Sequence, residues 1–378
     1  MQASFKIVSF APKYLRKKLN ELIFWNLVRS LTWRRSSNLL KTGSSFLLSA
    51  LFNKYFVWGK PSILTIEPTN ICNLRCPLCT TGSGDMERAN GKMSLETFDN
   101  IIQKMGDELF FLLLYHQGEP YINKHFLKFV ELAKSKNIYT TTSTNAHYFT
   151  DEIIHATIDS GLDSMIVSLD GVTQDVYEHY RVKGKVDKVI DGMARFMEIK
   201  RQRKAKTPLI ALQFLVMKHN EHQLPEVKKL AAEIGVDRLL IKNIEVHNTQ
   251  EAKDWLPQND KYRRYNFDGE TLVVKNKSRK SCSRVWLSTL INWDGSVVPC
   301  CFDKNGDFEL GDINSKENLD QIWQGEKYNN FRKELNTNRD NIDMCRNCNQ
   351  GLGSFIFNWN TKGKKKKPEK KELFPIID

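Results

Sequence analysis

The 378-residue chain predicts an α/β fold built on a parallel sheet. Three observations carry that expectation. Six apolar or β-branched runs alternate with helical patterns between residues 61 and 250. A tight cysteine cluster follows directly on the first of those runs. After about residue 250 the rhythm changes to a hairpin pattern that carries the other five cysteines.

Residues 1–60 interleave Lys and Arg with Phe, Leu and Trp, as in Leu22-Ile23-Phe24-Trp25 and in Phe46-Leu47-Leu48 followed by Leu51-Phe52. They read as two or three amphipathic helices. Such helices pack on the body of the protein, lie on an anionic membrane surface or dock a partner. The strands that follow are Ile63–Glu67, Phe110–Tyr115, Ile138–Thr144, Ser164–Leu169, Ile210–Met217 and Arg238–Lys242. Helical patterns occupy Ser94–Met105, His125–Ser135, Asp151–Ser160, Val186–Arg201 and Leu224–Ile234. An open doubly wound sheet and a curved partial barrel both satisfy this alternation. In either, chemistry belongs at the C-terminal ends of the strands. Further on, Trp286–Trp293 and Ser296–Pro299 suggest a hairpin turning at Asp294-Gly295. A helix over Leu319–Leu335 follows, then Cys345-Arg-Asn-Cys348 and a lysine-rich run from Gly363 expected to be disordered.

Charge is unevenly spread over the chain, whose net charge is +13. Residues 1–60 hold 11 Lys and Arg against the single acid Glu21, and residues 361–378 hold seven Lys against three acids. The intervening body is near neutral, which argues against a nucleic-acid groove across it. The eight cysteines have metal-ligand spacings rather than a disulfide pattern, so a cytoplasmic, reducing compartment is expected, with peripheral association at the inner membrane face open. No secretion signal or run of about 18 apolar residues is visible.

Cys72, Cys76 and Cys79 form a C-x3-C-x2-C loop after the first strand. Tetrahedral zinc or a cubane wants four ligands, so three thiolates leave one coordination position open. Cys282, Cys300, Cys345 and Cys348 form a complete set of four, for which a structural zinc is the plainer alternative. Polar residues end the other strands: Gln117-Gly118-Glu119-Pro120, Ser143-Thr144-Asn145 and Ser168-Leu169-Asp170-Gly171, with Tyr180-Arg181 beyond. A carboxylate suits an ammonium, and an arginine fork suits a carboxylate.

In this order the motifs resemble radical S-adenosylmethionine (SAM) enzymes with a C-terminal auxiliary-cluster domain of the SPASM/twitch type, over about residues 61–350. The resemblance implies a partial (β/α)6 TIM-like barrel with a small C-terminal cluster domain and a helical basic N-terminal extension. It implies that Cys72, Cys76 and Cys79 ligate a [4Fe–4S] cluster with SAM on its fourth iron. Reductive cleavage of SAM then gives a 5′-deoxyadenosyl radical that removes a substrate hydrogen atom. By the same resemblance Gly118 and Glu119 hold the SAM amino group, although Gln117 stands where the family has glycine. Ser143, Asn145, Ser168 and Asp170 are expected near the ribose, Arg181 at the SAM carboxylate and Leu78 against adenine. Cys282, Cys300, Cys345 and Cys348 would close one auxiliary [4Fe–4S] cluster, Cys300 being chosen over its neighbour Cys301.

The domains expected are residues 1–60, the radical SAM core 61–250, the auxiliary domain 251–355 and the tail 356–378. The electron would come from an external one-electron donor such as flavodoxin or ferredoxin. The leading substrate expectation is a sugar-like or lipid-linked small molecule, because residues 1–60 lack the pattern of a leader-peptide-binding domain. The alternatives are a peptide- or protein-modifying maturase and a non-catalytic iron–sulfur protein. His116, Gln213, Lys242, Glu245 and Asp294 are candidates for proton transfer at the barrel mouth.

Overall fold

Apolar residues alternate along each central strand, and that alternation decides which face of the sheet the helices cover. The computed structural model describes residues 6–8, 26–275, 282–315 and 317–349. Its main sheet contains β1 (Lys6–Val8), β2 (Ile63–Ile66), β3 (Phe111–Leu113), β4 (Tyr139–Thr144), β5 (Ser164–Ser168), β6 (Leu209–Val216) and β7 (Arg238–Asn243). A separate ribbon pairs β8 (Tyr265–Phe267) with β9 (Leu272–Val274). The main sheet is completed by β10 (Ser288–Ile291), β11 (Ser296–Val298) and β12 (Gly311–Asp312).

Strands β2 to β7 pair in parallel and in chain order. A sheet that grows in one direction through right-handed crossovers keeps its helices on one face and curls around the other. A doubly wound sheet needs a reversal of strand order, and there is none among these six. The fold is therefore a partial (β/α)6 barrel. Leu64, Leu112, Met165, Val167, Leu212 and Leu239 point to the helices and form its core. The alternate residues line the inner face, where Phe111 stacks on Tyr139 at 5.1 Å and Ser164 Oγ donates to Thr141 Oγ1 at 2.9 Å.

Five helices follow the sequence reading closely: Leu95–Met105, Phe126–Ser135, Asp151–Asp159, Val186–Gln202 and Leu224–Ile234. Two begin at side-chain caps, Ser94 Oγ accepting from Thr97 N at 3.0 Å and Thr150 Oγ1 from Ile153 N at 3.3 Å. Three readings need correction. Residues 6–8 form a strand, not helix, covering the open edge of β7. The hairpin strand begins only at Ser288, because Arg284–Leu287 makes a helical turn that buries Trp286 with its Nε1 on Phe56 O at 3.1 Å. The expected Leu319–Leu335 helix breaks at the extended Gly325 into Leu319–Gln324 and Glu326–Thr337. Leu22–Trp25 and the lysine-rich tail lie outside the described residues.

The C-terminal segment joins the barrel through its sheet. Strand β10 pairs in parallel with β2, Ile291 opposite Ile66, and β11 and β12 continue antiparallel. The turn between β10 and β11 has Gly295 at φ 97°, as the Asp-Gly pair predicts. At the end of β2, buried Glu67 takes a bidentate pair from Arg88 at 2.9 and 2.8 Å and accepts from Trp293 N at 3.2 Å. Arg88 also donates to Lys304 O at 2.9 Å, so one ion pair ties β2, the 84–92 loop and the C-terminal segment together. Removing only the guanidinium, as in Arg88→Met, should cost about 3–5 kcal/mol in chemical denaturation. Pairing it with Glu67→Gln should recover much of that loss.

Candidate active site

The loop after β2 sets three thiols around the C-terminal ends of the strands. Its backbone is held on both sides, by Glu119 N donating to Ile71 O at 2.9 Å and Arg75 N donating to Val182 O at 3.0 Å. Gly118 has φ 72°, and a Cβ there would overlap the carbonyl oxygens of Thr69 and Ile71. Gly82, in the helical turn Thr80–Ser83, lies so near Cys76 that a Cβ would stand 2.5 Å from its backbone nitrogen. The two glycines let the loop close between β3 and this turn.

Each thiol has its own polar neighbours. Cys72 Sγ accepts from Leu74 N at 3.4 Å and from Asn145 Nδ2 at 3.9 Å. Cys76 Sγ accepts from Arg181 Nη1 at 3.8 Å. The Cys79 thiol donates to Gln117 Oε1 at 3.7 Å, and Thr81 Oγ1 donates to the same oxygen at 3.0 Å. Burial pushes the Cys72 thiol up to about 11 and raises Cys76, even with Arg181 beside it. Thiols in this setting ionise readily only when a metal centre supplies the compensating charge.

Arg181 is itself buried, which works against its charge, but Asp170, Cys76, Tyr180 and Tyr177 together outweigh this and hold it firmly protonated. Arg181 Nε and Nη2 both reach Asp170 Oδ2 at 2.6 Å. Asp170 Oδ1 accepts from Leu215 N at 2.8 Å, while Asn220 Nδ2 donates to Asp170 O at 2.9 Å. Asp170, expected at ribose hydroxyls, thus gives both carboxylate oxygens to the protein and positions the arginine at Cys76. Glu119 is similarly engaged. It accepts from Thr144 Oγ1 at 2.8 Å, Asn145 N at 2.7 Å and Tyr121 N at 3.3 Å, and burial raises it to about 7.

Ser143, next to last in β4, and Ser168, last in β5, lie on the inner face, Ser168 buried and paired in register with Gln213. Leu78 packs half-buried against the cluster formed by Leu74, Cys76, Tyr180 and Ile244. Among the proton-transfer candidates, Lys242 is next to last in β7 and burial lowers it to about 8. Burial lowers His116 to about 4, and its Nε2 has no hydrogen-bond partner among the described residues. Glu245 pairs with Arg264 at 3.6 Å. Exposed Asp294 accepts from Ser296 N at 3.0 Å and serves the hairpin turn.

Cys282, Cys300, Cys345 and Cys348 line one cavity, with Arg284 and Arg339 beside them. Cys301 is not in that lining; its sulfur instead accepts from Arg284 Nη1 at 3.4 Å. Burial raises Cys282 and pushes Cys345 up to about 12, with Arg339 opposing both shifts. Among the described residues no three His, Cys, Asp or Glu side chains converge on a point for a single ion. A cubane spreads its ligands over separate irons and asks for no such convergence. The soft donors, with N–H groups aimed at sulfur, fit iron–sulfur centres. Sequence reasoning did not find Gln117 and Thr81 beside Cys79, or the Glu67–Arg88 pair; the departure from glycine at Gln117 was the one available signal.

Fold and site together define a barrel-type iron–sulfur enzyme. The chain belongs to the radical SAM superfamily, whose pattern matches residues 66–231, and carries an iron–sulfur cluster-binding domain of the SPASM type over residues 282–349. It is 25% identical over 308 residues to the tungsten-containing aldehyde ferredoxin oxidoreductase cofactor-modifying protein of Pyrococcus furiosus, covering 71% of this chain and 82% of that one. It is 21% identical over 296 residues to the PqqA peptide cyclase of Bradyrhizobium diazoefficiens, covering 73% and 76%. The solved structure of Streptococcus suis SuiB bound to S-adenosylmethionine shares the fold, with a TM-score of 0.56 at 15% identity over 91% of this chain and 85% of that one. The cofactors are a SAM-bound [4Fe–4S] cluster and auxiliary iron–sulfur chemistry in the SPASM domain. When bound, the cluster supplies an electron and SAM the radical that removes hydrogen.

Two outcomes follow from the geometry. Gly118→Ala should cost more than about 2 kcal/mol, since it combines left-handed backbone strain with backbone overlap. Gly84→Ala, at φ 92° with nothing within 4 Å of its Cβ, should cost only about 1 kcal/mol in the same melt. Glu119 titrates near 7 when folded against 4.5 in its ordinary state, so the folded protein holds the proton more tightly. The cluster-free protein should therefore lose about 3 kcal/mol as pH rises from about 4.5 through 7. Glu119→Gln should remove that slope from the denaturation free energy.

Proposed function

We propose that this enzyme modifies a peptide or protein substrate by hydrogen-atom abstraction. In this reading Cys72, Cys76 and Cys79 hold the SAM-binding cluster. Arg181, aimed by Asp170, takes the SAM carboxylate, and the Gly118–Glu119 turn lies at its amino group. Asn145 orders the Cys72 side, while Ser143, Ser168 and Leu78 line the remaining SAM surface. Cys282, Cys300, Cys345 and Cys348 hold the auxiliary cluster and relay electrons.

The observation that carries the reading is a cavity of about 340 Å³ running from Thr80, beside Cys79, to Cys348. Cys348 of one set lines it, as does Thr80, the residue after Cys79 of the other, which supports one substrate lying near both sets. Glu245, His247, Lys304, Asp307 and Asp343 line it. Five ionisable groups are a poor surface for a lipid chain, and charges of both signs suit the amides and side chains of a polypeptide. Relatives named for peptide cyclisation and for mycofactocin maturation, the latter 25% identical over 289 residues in Mycolicibacterium smegmatis, support the same choice. They reverse the order reached from sequence, where a sugar-like or lipid-linked small molecule came first.

The test uses anaerobically reconstituted enzyme with SAM and dithionite. 5′-Deoxyadenosine should form, and a peptide encoded beside the gene should change mass in step with it. Stimulation by a lipid-linked sugar, with no peptide altered, would contradict the reading. Cys76→Ala should abolish SAM cleavage, whereas Cys348→Ala should retain it and lose the peptide product.

A further inference from the structure

The Trp33–Phe52 helix is built inside out. Its buried residues are Arg35, Asn38, Thr42, Ser45, Phe46 and Ser49, five of the six polar. Arg35, Asn38, Ser45 and Ser49 attach it to the protein by hydrogen bonds, while Phe46 packs into the core 5.7 Å from the Trp286 ring. Asn38 Nδ2 donates to Lys60 O at 3.0 Å and to Ser62 Oγ at 2.9 Å. Ser45 Oγ accepts from Trp58 N at 3.0 Å and Ser49 Oγ from Phe56 N at 2.8 Å. Arg35 donates to Gly106 O at 2.8 Å and Asn137 O at 3.0 Å.

The opposite face is apolar and open. Trp33 is 86% exposed, Leu40 72%, Leu47 55% and Leu51 73%. Their spacing of seven, seven and four residues places them in one stripe along the helix. Eight of the nine exposed large hydrophobics among the described residues fall between Leu31 and Trp58. An apolar stripe of this kind, interrupted only by Ser37 and Ser44, marks a surface that something covers.

We propose that this face docks on an anionic lipid bilayer, lying in the plane of the interface. Charge selects that occupant. Exposed Arg29, Lys41 and Lys54 belong to the same segment as the stripe, Arg34 beside it pairs with Asp107 at 3.1 Å, and residues 22–60 contain no acid at all. A second copy of the chain would bring basic rim against basic rim, a repulsive arrangement. An anionic bilayer takes the leucines into its acyl boundary and the bases at its headgroups. Trp33 and Trp58, 86% and 52% exposed, suit the headgroup level. Among the described residues no helix is long and apolar enough to cross a membrane, so the contact is peripheral in this part of the chain.

The full-length, cluster-loaded protein is floated with vesicles of phosphatidylcholine and phosphatidylglycerol in equal parts, and with phosphatidylcholine alone. Flotation should require the anionic lipid and weaken at high salt. The triple variant Leu40→Gln/Leu47→Gln/Leu51→Gln changes exposed positions only. It should lose on the order of 100-fold in partitioning while keeping its circular dichroism and SAM cleavage. Failure of the parent protein to float, or equal flotation of the triple variant, would overturn the proposal. So would a dimer in sedimentation equilibrium that the triple variant dissolves while the parent binds no vesicles, which would assign the face to a second copy.

Discussion

The buried ion pair between Asp170 and Arg181 connects the barrel to the cysteine loop. One oxygen of Asp170 takes both the Nε and Nη2 of Arg181, while the other holds Leu215 N at the end of β6. The remaining arm of Arg181 points at Cys76. A charge this deeply buried is tolerable only while its partner stays in place. The pair therefore transmits the positions of β5 and β6 directly to the thiol loop. Asn220 reinforces it by bonding Asp170 O and Leu215 O at 2.9 Å each.

The second half of the chain is tied to the same loop through the sheet. Because β10 extends β2 in parallel, the hairpin after it reaches the 84–92 loop, where the Trp293 ring covers Gly91 and its Nε1 donates to Ala89 O at 3.1 Å. Glu67 and Arg88 lock the same junction. This arrangement sets Cys348 and Thr80 on one cavity although 268 positions of sequence separate them. Arg284 stands between Cys301 and the four-cysteine cavity, a positive group placed where thiolate charge would collect.

Much of the fold was legible because its signals are local. Strand and helix alternation located the six parallel strands, and cysteine spacing located both sulfur sets. Strand-end position pointed to Glu119, Asn145 and Asp170. What was not legible depends on contacts distant in sequence. Nothing in the pattern pairs Glu67 with Arg88, or Gln117 with Thr81 and Cys79. The pairing of Asp170 with Arg181 was not legible either, because a carboxylate at a strand end looks the same whether it faces ligand or arginine. The composition of the Trp33–Phe52 helix showed amphipathicity without showing that its polar face is the one turned inward. Ser and Asn at 38, 45 and 49 do this by bonding the backbone of residues 56, 58 and 60.

In the proposed assignment two cysteine sets hold two clusters, and only the first keeps a position for SAM. Iron content and electron paramagnetic resonance of the anaerobically reconstituted, dithionite-reduced protein test it together. Roughly eight irons per chain are expected, falling to about four in both Cys76→Ala and Cys348→Ala. SAM should shift the resonance of the parent and of Cys348→Ala but leave Cys76→Ala unchanged. A SAM-induced shift that survives Cys76→Ala, or a full iron complement in Cys348→Ala, would contradict the assignment.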